Sequence, residues 1–142
     1  MDLVQHFSNA RNTVSYSAGA VIFRAGQRGT LMFVMLKGLA SVMVGDETVE
    51  MAIPGTVLGE MALLGDGRRS ATVIARRDCV LVPITREQFD VLTKETPAFA
   101  RYVMKVMAER LRRMNERSAQ GEGWWGALSI GRSTALAAGR AL

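Results

Sequence analysis

Glycine-bearing corners cut residues 13–85 into short β-branched and apolar runs, and this spacing restricts the fold more than any other feature of the chain. Residues 13–16, 21–23, 31–36, 39–44, 47–51 and 56–58 each read as a strand. The corners between them carry Gly19, Gly26, Gly29, Gly38, Gly45 and the pair Pro54-Gly55. Residues 31–36, Leu-Met-Phe-Val-Met-Leu, are apolar without a break, as expected for a strand buried on both faces. Residues 72–75 and 79–84 read as the last pair of strands. Pro83 lacks a ladder donor and so belongs at an edge or a strand end. Short strands at near-regular steps predict a mainly β fold with flanking helices, a β-roll or double-stranded jelly-roll barrel.

After Thr85 the period changes from strand to helix. Thr85 and Gln88 stand at capping-box spacing and open one helix through Phe89, Val91 and Leu92. Thr96-Pro97 opens a longer C-terminal helix, with Phe99, Val103, Val106, Met107, Leu111 and Met114 recurring at three- and four-residue steps. Its other side carries Arg101, Lys105, Glu109, Arg112, Arg113 and Arg117, with Glu109 and Arg113 spaced for an i,i+4 pair. At the start, residues 2–12 are expected to form a short helix through Leu3, Phe7 and Ala10.

The length of 142 residues suits one domain, placed at 1–117, followed by a flexible tail at 118–142 with Trp124-Trp125 in its middle. With 49% hydrophobic and 22% charged residues the composition is that of a globular chain, and no apolar run approaches the ~20 residues of a membrane helix. Met1–His6 does not read as a secretory signal, so a cytoplasmic protein that engages no membrane is expected. His6 and Cys79 are the only residues of their kinds. That removes an intrachain disulfide and the His-rich metal site of a β-barrel enzyme; no metal, cofactor or catalytic residue is expected, and Cys79 reads as a buried structural thiol. A net charge of +5 favours an anionic partner without identifying it.

The densest chemistry lies in the stretch from Gly59 to Val73, Gly-Glu-Met-Ala-Leu-Leu-Gly-Asp-Gly-Arg-Arg-Ser-Ala-Thr-Val. An acid opens a short helical turn, and arginines close a glycine-rich corner. Taken singly, a Gly-Glu pair is usually a turn before a helix start, and an Arg-Arg pair is usually surface. Together they offer a planar fork of donors suited to a phosphate, free helix-start amides, and a carboxylate that can only accept, as a sugar hydroxyl requires.

This stretch, with the glycine-punctuated strands before it and the helices after it, resembles the cyclic nucleotide-binding domain family, and in particular that family's phosphate-binding cassette. The resemblance runs from about residue 13 to 117. It implies that Arg69 binds the exocyclic phosphate, that Glu60 takes the ribose 2′-hydroxyl, and that the amides of Ala62 and Ser70 and the Ser70 hydroxyl reach phosphate oxygens. Gly59 lets the backbone pass close to the sugar, and Met61 lies between these contacts. The family often has proline where Arg68 stands, so two arginines compete; spacing from Gly59 and the following Ser-Ala-Thr-Val favour Arg69. Base contacts are expected from Val42, Val44 and Leu58, with Arg110 and then Arg113 stacking on the purine. The ligand implied is cyclic AMP or cyclic GMP, which the sequence does not separate.

What the resemblance implies is a regulatory sensor, with ligand closing the last helix to signal to a partner and a homodimer through that helix as a further expectation. Two other readings stay open: an interaction module of the same fold that binds no nucleotide, and the sensing part of a transcriptional regulator without its own DNA-binding domain. No pair of short helices follows Arg117, so direct DNA binding is not expected.

Overall fold

The computed structural model describes residues 1–119. Eight strands, β1 (Val14–Tyr16), β2 (Val21–Phe23), β3 (Leu31–Lys37), β4 (Ala40–Val44), β5 (Glu47–Ala52), β6 (Val57–Leu58), β7 (Thr72–Ala75) and β8 (Cys79–Thr85), form two four-stranded antiparallel sheets ordered β1-β8-β3-β6 and β2-β7-β4-β5. Four helices accompany them: α1 (Leu3–His6), α2 (Glu60–Leu64), α3 (Arg86–Glu95) and α4 (Pro97–Ala119). The architecture is the β-roll with a long C-terminal helix that the sequence pattern predicts.

The side-chain period of two places the core. In β3, Phe33 and Met35 face the interior shared by the two sheets, together with Phe23, Val42, Leu58, Val73 and Leu81. Met32 and Val34, one residue out of step, face the opposite side and join Leu3, Val57, Leu63, Ile84, Phe99 and Val103 beneath the helices. The unbroken apolar run of β3 therefore serves two cores, and Met32, Val34 and Met35 have no exposed surface.

Several boundaries differ from the sequence reading. Only Leu3–His6 of residues 2–12 is helical, capped by the Asp2 carboxylate on the Gln5 amide at 3.1 Å. The strands at 72–75 and 79–84 do not pair with each other: β7 lies between β2 and β4, and β8 between β1 and β3, so the corner between them crosses from one sheet to the other. Pro83 sits within a central strand, yet β1 reaches only Cys79–Leu81, so at Pro83 the strand is paired on the β3 side alone. Locally it is an edge, and the missing donor leaves no gap in a ladder.

The capping box forms as read, with the Gln88 amide donating to Thr85 Oγ1 and the Thr85 amide donating to Gln88 Oε1. Cys79 is buried beneath Leu39. The first half of α4 packs Phe99 and Val103 on the outer core, and the Tyr102 hydroxyl donates to Gly55 O at 3.2 Å. Helix α4 continues to Ala119, two residues past the expected domain boundary; Trp124-Trp125 and the rest of the expected tail from residue 120 lie outside the described residues. Among the described residues no helix is long and apolar enough to cross a membrane.

Candidate functional site

Strand β6 ends at Leu58, and Gly59, at φ +79°, turns the chain directly into α2. No side chain caps this helix, and no hydrogen bond among the described residues occupies the amide of Ala62. After the corner at 65–67 the chain runs back along the segment 26–29. The Gly29 amide donates to Gly67 O at 2.8 Å, the Arg69 amide to Gln27 O at 2.8 Å, and the Gly26 amide to Arg69 O at 2.9 Å. This zipper separates the two arginines. Arg68 is exposed, with Nη1 donating to Gly26 O at 3.1 Å, whereas Arg69 turns inward and is 7% exposed.

Arg69 has no carboxylate within ion-pairing distance among the described residues. Its Nη1 donates to Leu31 O at 2.7 Å and to Gly59 O at 3.3 Å, and its Cζ lies 4.3 Å from the centre of the Phe23 ring. Nε and Nη2 meet no acceptor among the described residues. Burial pushes the guanidinium below its ordinary pKa, opposed by the nearby Tyr16 and Glu60. A β-carbon on Gly29 or Gly59 would fall on this guanidinium, so both positions must be bare for it to lie here. The result is a buried cation with unspent donors beside the free amides of Ala62 and Ser70. All three residues line one cavity, and donors of this kind suit an anion.

Glu60, 2% exposed, begins α2 on the other wall. Its Oε1 accepts from Arg110 Nη1, while Oε2 meets no donor among the described residues. Arg110 also gives Nε and Nη2 to the Glu50 carboxylate, each at 3.0 Å, and Nη2 to Val57 O at 2.6 Å. Burial by itself would lower the Arg110 pKa; Glu60 and Glu50 outweigh it and hold the group above its ordinary value. Arg113 pairs with Glu50 at 3.2 Å rather than with Glu109, and Arg117 pairs with Glu47. Three arginines of α4 thus rest on two acids of β5, with Glu60 as a third acid for the innermost.

A cavity of about 40 Å³ lies between these walls. Gly59, Glu60, Met61, Ala62, Arg69, Ser70, Leu58, Val42 and Arg110, all singled out from the sequence, line it together. Val44 does not reach it. Ser70 Oγ is 3.7 Å from Met61 Sδ, close enough to donate to it, so the hydroxyl must rotate to serve an anion. The guanidinium of Arg110, expected to stack on a purine, gives its donors to Glu50, Glu60 and Val57 O, and Arg113 is drawn to the same Glu50. A second cavity, about 200 Å³, lies beyond Arg110 among Met61, Met107, Leu111 and Met114.

Three residues of the site escaped sequence reasoning. Phe23 reads there as part of a strand, Gly29 as a corner, and Glu50 as part of the strand at 47–51. The available signal for Glu50 was the match between acids at 47 and 50 and basic residues at 110, 113 and 117, a pattern that acquires meaning only once strand and helix are known to meet.

A family model described as "cyclic nucleotide-binding domain" matches residues 13–96, more than half of the chain. Among curated relatives, a cyclic nucleotide-gated potassium channel of Rhizobium etli is 38% identical over 93 residues, covering 66% of this chain and 26% of the channel. The cyclic AMP receptor protein of Thermus thermophilus is 32% identical over 102 residues, covering 68% of this chain and 47% of that protein. The crystal structure of the Thermus thermophilus catabolite activator protein superposes with a TM-score of 0.69 at 27% identity, over 84% of this chain and 57% of that one. The chain therefore spans between a quarter and a half of the length of these two curated relatives.

The bare Cα at Gly29 provides a direct test of the Arg69 geometry. Gly29 has no positive φ to strain, and the clash its β-carbon meets is with the mobile end of a side chain. Gly29→Ala is expected to change unfolding free energy by less than about 1 kcal/mol, typical of a tolerated substitution, while turning the Arg69 guanidinium away from Leu31 O. Urea denaturation and a crystal structure of the variant read the two effects; an Arg69 unmoved beside the new methyl group contradicts the packing described.

Proposed function

The chain belongs to the cyclic nucleotide-binding domain family, and from that premise we propose that it binds a cyclic nucleotide, cyclic AMP before cyclic GMP, as a sensor that carries out no chemistry of its own. The observation that carries this reading is Arg69, a guanidinium 7% exposed with no counter-ion among the described residues. Its open donors, together with the Ala62 and Ser70 amides, suit the exocyclic phosphate, and Glu60 Oε2 suits the ribose 2′-hydroxyl. Cyclic AMP is placed first because the Thermus thermophilus relative is named as its receptor. An interaction module that bound no nucleotide would have no use for the open donors of this buried charge, which is the argument against that alternative. Ligands of this class are intracellular signals, which puts the domain in the cytoplasm.

The same carboxylate supplies a route for the signal. Glu60, which lines the site, has one oxygen on Arg110 of α4 and the other without a donor among the described residues, so ligand and helix can share it. The cavity of about 40 Å³ is far below the ~300 Å³ or more of a small-molecule pocket, so a nucleotide enters only as a wall moves. The C-terminal half of α4 is the wall tied down by side-chain pairs rather than by a strand ladder. In this reading nucleotide selects the arrangement in which Glu60 holds ribose and Arg110 together, and so fixes α4 over the ligand. The second cavity lies where a base emerging past Arg110 would find apolar cover.

The partner in this reading is a second copy of the chain. Met104 and Leu111 are 60% and 48% exposed, one helical face apart by seven residues with exposed Ala108 between them. They offer a seam for the α4 of another molecule.

Each step has its own measurement. Arg69→Ala is expected to weaken cyclic nucleotide binding by about 2–4 kcal/mol, the range for truncating one side of a buried charged contact, by calorimetry with cyclic AMP and cyclic GMP in parallel. Equal affinity in wild type and variant removes Arg69 from the site. Glu50→Gln is expected to raise amide exchange in α4 around residues 106–117 by roughly tenfold, as a lost hydrogen bond between charged groups implies, and to blunt the protection that nucleotide confers. Exchange indistinguishable from wild type means the acids of β5 do not hold the helix. Leu111→Glu is expected to convert dimer to monomer in sedimentation at concentrations where the native chain associates; a native chain monomeric with and without nucleotide rules out the seam.

A further inference from the structure

A buried arginine ordinarily rests against a carboxylate, and the cost of a buried charge left alone is several kcal/mol in real proteins. Arg69 has no such partner among the described residues, and its two hydrogen bonds go to the neutral carbonyls of Leu31 and Gly59. What lies against its face is aromatic. The guanidinium carbon is 4.3 Å from the centre of the Phe23 ring and 5.7 Å from that of Phe33, and the two rings are stacked at 6.3 Å with planes 21° apart. Both rings are nearly buried, Phe23 at 9% exposure and Phe33 at 5%, so water screens the attraction little.

We infer that Phe23 is a positioning residue for anion recognition: its ring face stands in for the counter-ion of Arg69 and holds the guanidinium in place while leaving its N–H edge unspent. The chemistry favours this division. A carboxylate would compensate the charge through the same in-plane donors that a phosphate needs, so ligand and protein would compete for them. A ring compensates through the flat face, and the edge directions of Nε and Nη2 stay open. Gly29 and Gly59 complete the arrangement by letting the cation sit over the ring without a β-carbon in its way. The role of Phe23 as support for the ligand-binding arginine rests on the cyclic nucleotide reading, while its attraction for the cation does not.

Fluorinated phenylalanines test this without altering the packing, because each fluorine withdraws charge from the ring face at nearly constant shape. Phenylalanine, 4-fluoro-, 3,5-difluoro- and 3,4,5-trifluorophenylalanine are placed at position 23 of the full chain. Affinity for cyclic AMP and cyclic GMP is then measured by calorimetry, and the melting temperature is measured without nucleotide. The expected result is a stepwise fall in both, reaching roughly tenfold in affinity at three fluorines, as a desolvated cation–π contact implies. The melting series is repeated in Arg69→Met, and in Arg69→Gln should the first not fold, where it is expected to be flat. The same series at Phe33, with its ring farther from the cation, is expected to fall less.

A melting series that is flat with Arg69 present overturns the inference, and so does one that falls equally once Arg69 is replaced, which marks simple packing. A series that falls only with Arg69, in a protein that binds neither nucleotide, upholds the ring's hold on the cation and overturns the nucleotide reading and with it the ligand role. Nucleotide binding that is insensitive to fluorination while the melting temperature falls overturns the ligand role alone.

Discussion

A positive charge enclosed between two sheets and ion-paired to no carboxylate among the described residues is the constraint around which this molecule is arranged. Arg69 is brought inside because its own backbone is zipped to the segment 26–29, which fixes where its side chain must begin. From there the guanidinium finds two backbone carbonyls, two aromatic rings and two glycines that make way for it. None of these can neutralise it. Stability alone would favour an apolar side chain of similar volume at this position. That burden, beside unoccupied amides and an acid, is what the proposed nucleotide reading accounts for.

Much of this was legible in the residues, and what was not has a common reason. Glycine corners, the period-two strands and the capping box at Thr85 are local signals, and they placed every strand to within a residue or two. The stretch from Gly59 to Ser70 was legible for the same reason, since its chemistry is contiguous. The stacking of Phe23 on Arg69 joins residues far apart in sequence, as does the pairing of Glu50 with Arg110 sixty residues on. Nothing near Phe23 distinguishes it from any other core aromatic. The pairing of Arg113 went astray similarly: an i,i+4 acid, Glu109, was available on its own helix, but Glu50 across the fold was already part of a charged cluster and drew it away. The crossing between 72–75 and 79–84 was not legible for a topological reason, because a tight corner between two strands looks the same whether they pair or cross between sheets.

The rings and the acids divide the work of the site between two kinds of electrostatics. On the Arg69 wall, compensation comes from ring faces and carbonyl dipoles, which hold a cation without quenching it. On the Glu60 wall, compensation is full: Arg110 is shared by two carboxylates and a carbonyl, and its charge is locked in place. An unquenched charge attracts a ligand, whereas a quenched one transmits a position. The two walls are therefore not interchangeable, although each is built from an arginine.

In the proposed reading, that division also explains the choice of α4 as the element that responds to occupancy. Its first half is seated by Phe99 and Val103 in the outer core and has little freedom. Beyond Met107 the helix meets the roll through the buried Met114 and through Arg110, Arg113 and Arg117, side chains that reach acids on β5 and on the first turn of α2. The exposed pairs at 113 and 117 are worth little individually in water, so the buried charged tie, Arg110 to Glu60 and Glu50, is the polar contact that most restricts where this half of the helix lies. Since one end of that tie is the very acid offered to the ribose in the proposed reading, the free energy of filling the site and that of placing the helix cannot be independent. A substitution that quenched Arg69 with a neighbouring carboxylate would leave the tie intact and the helix in place, yet remove the attraction that makes its position informative.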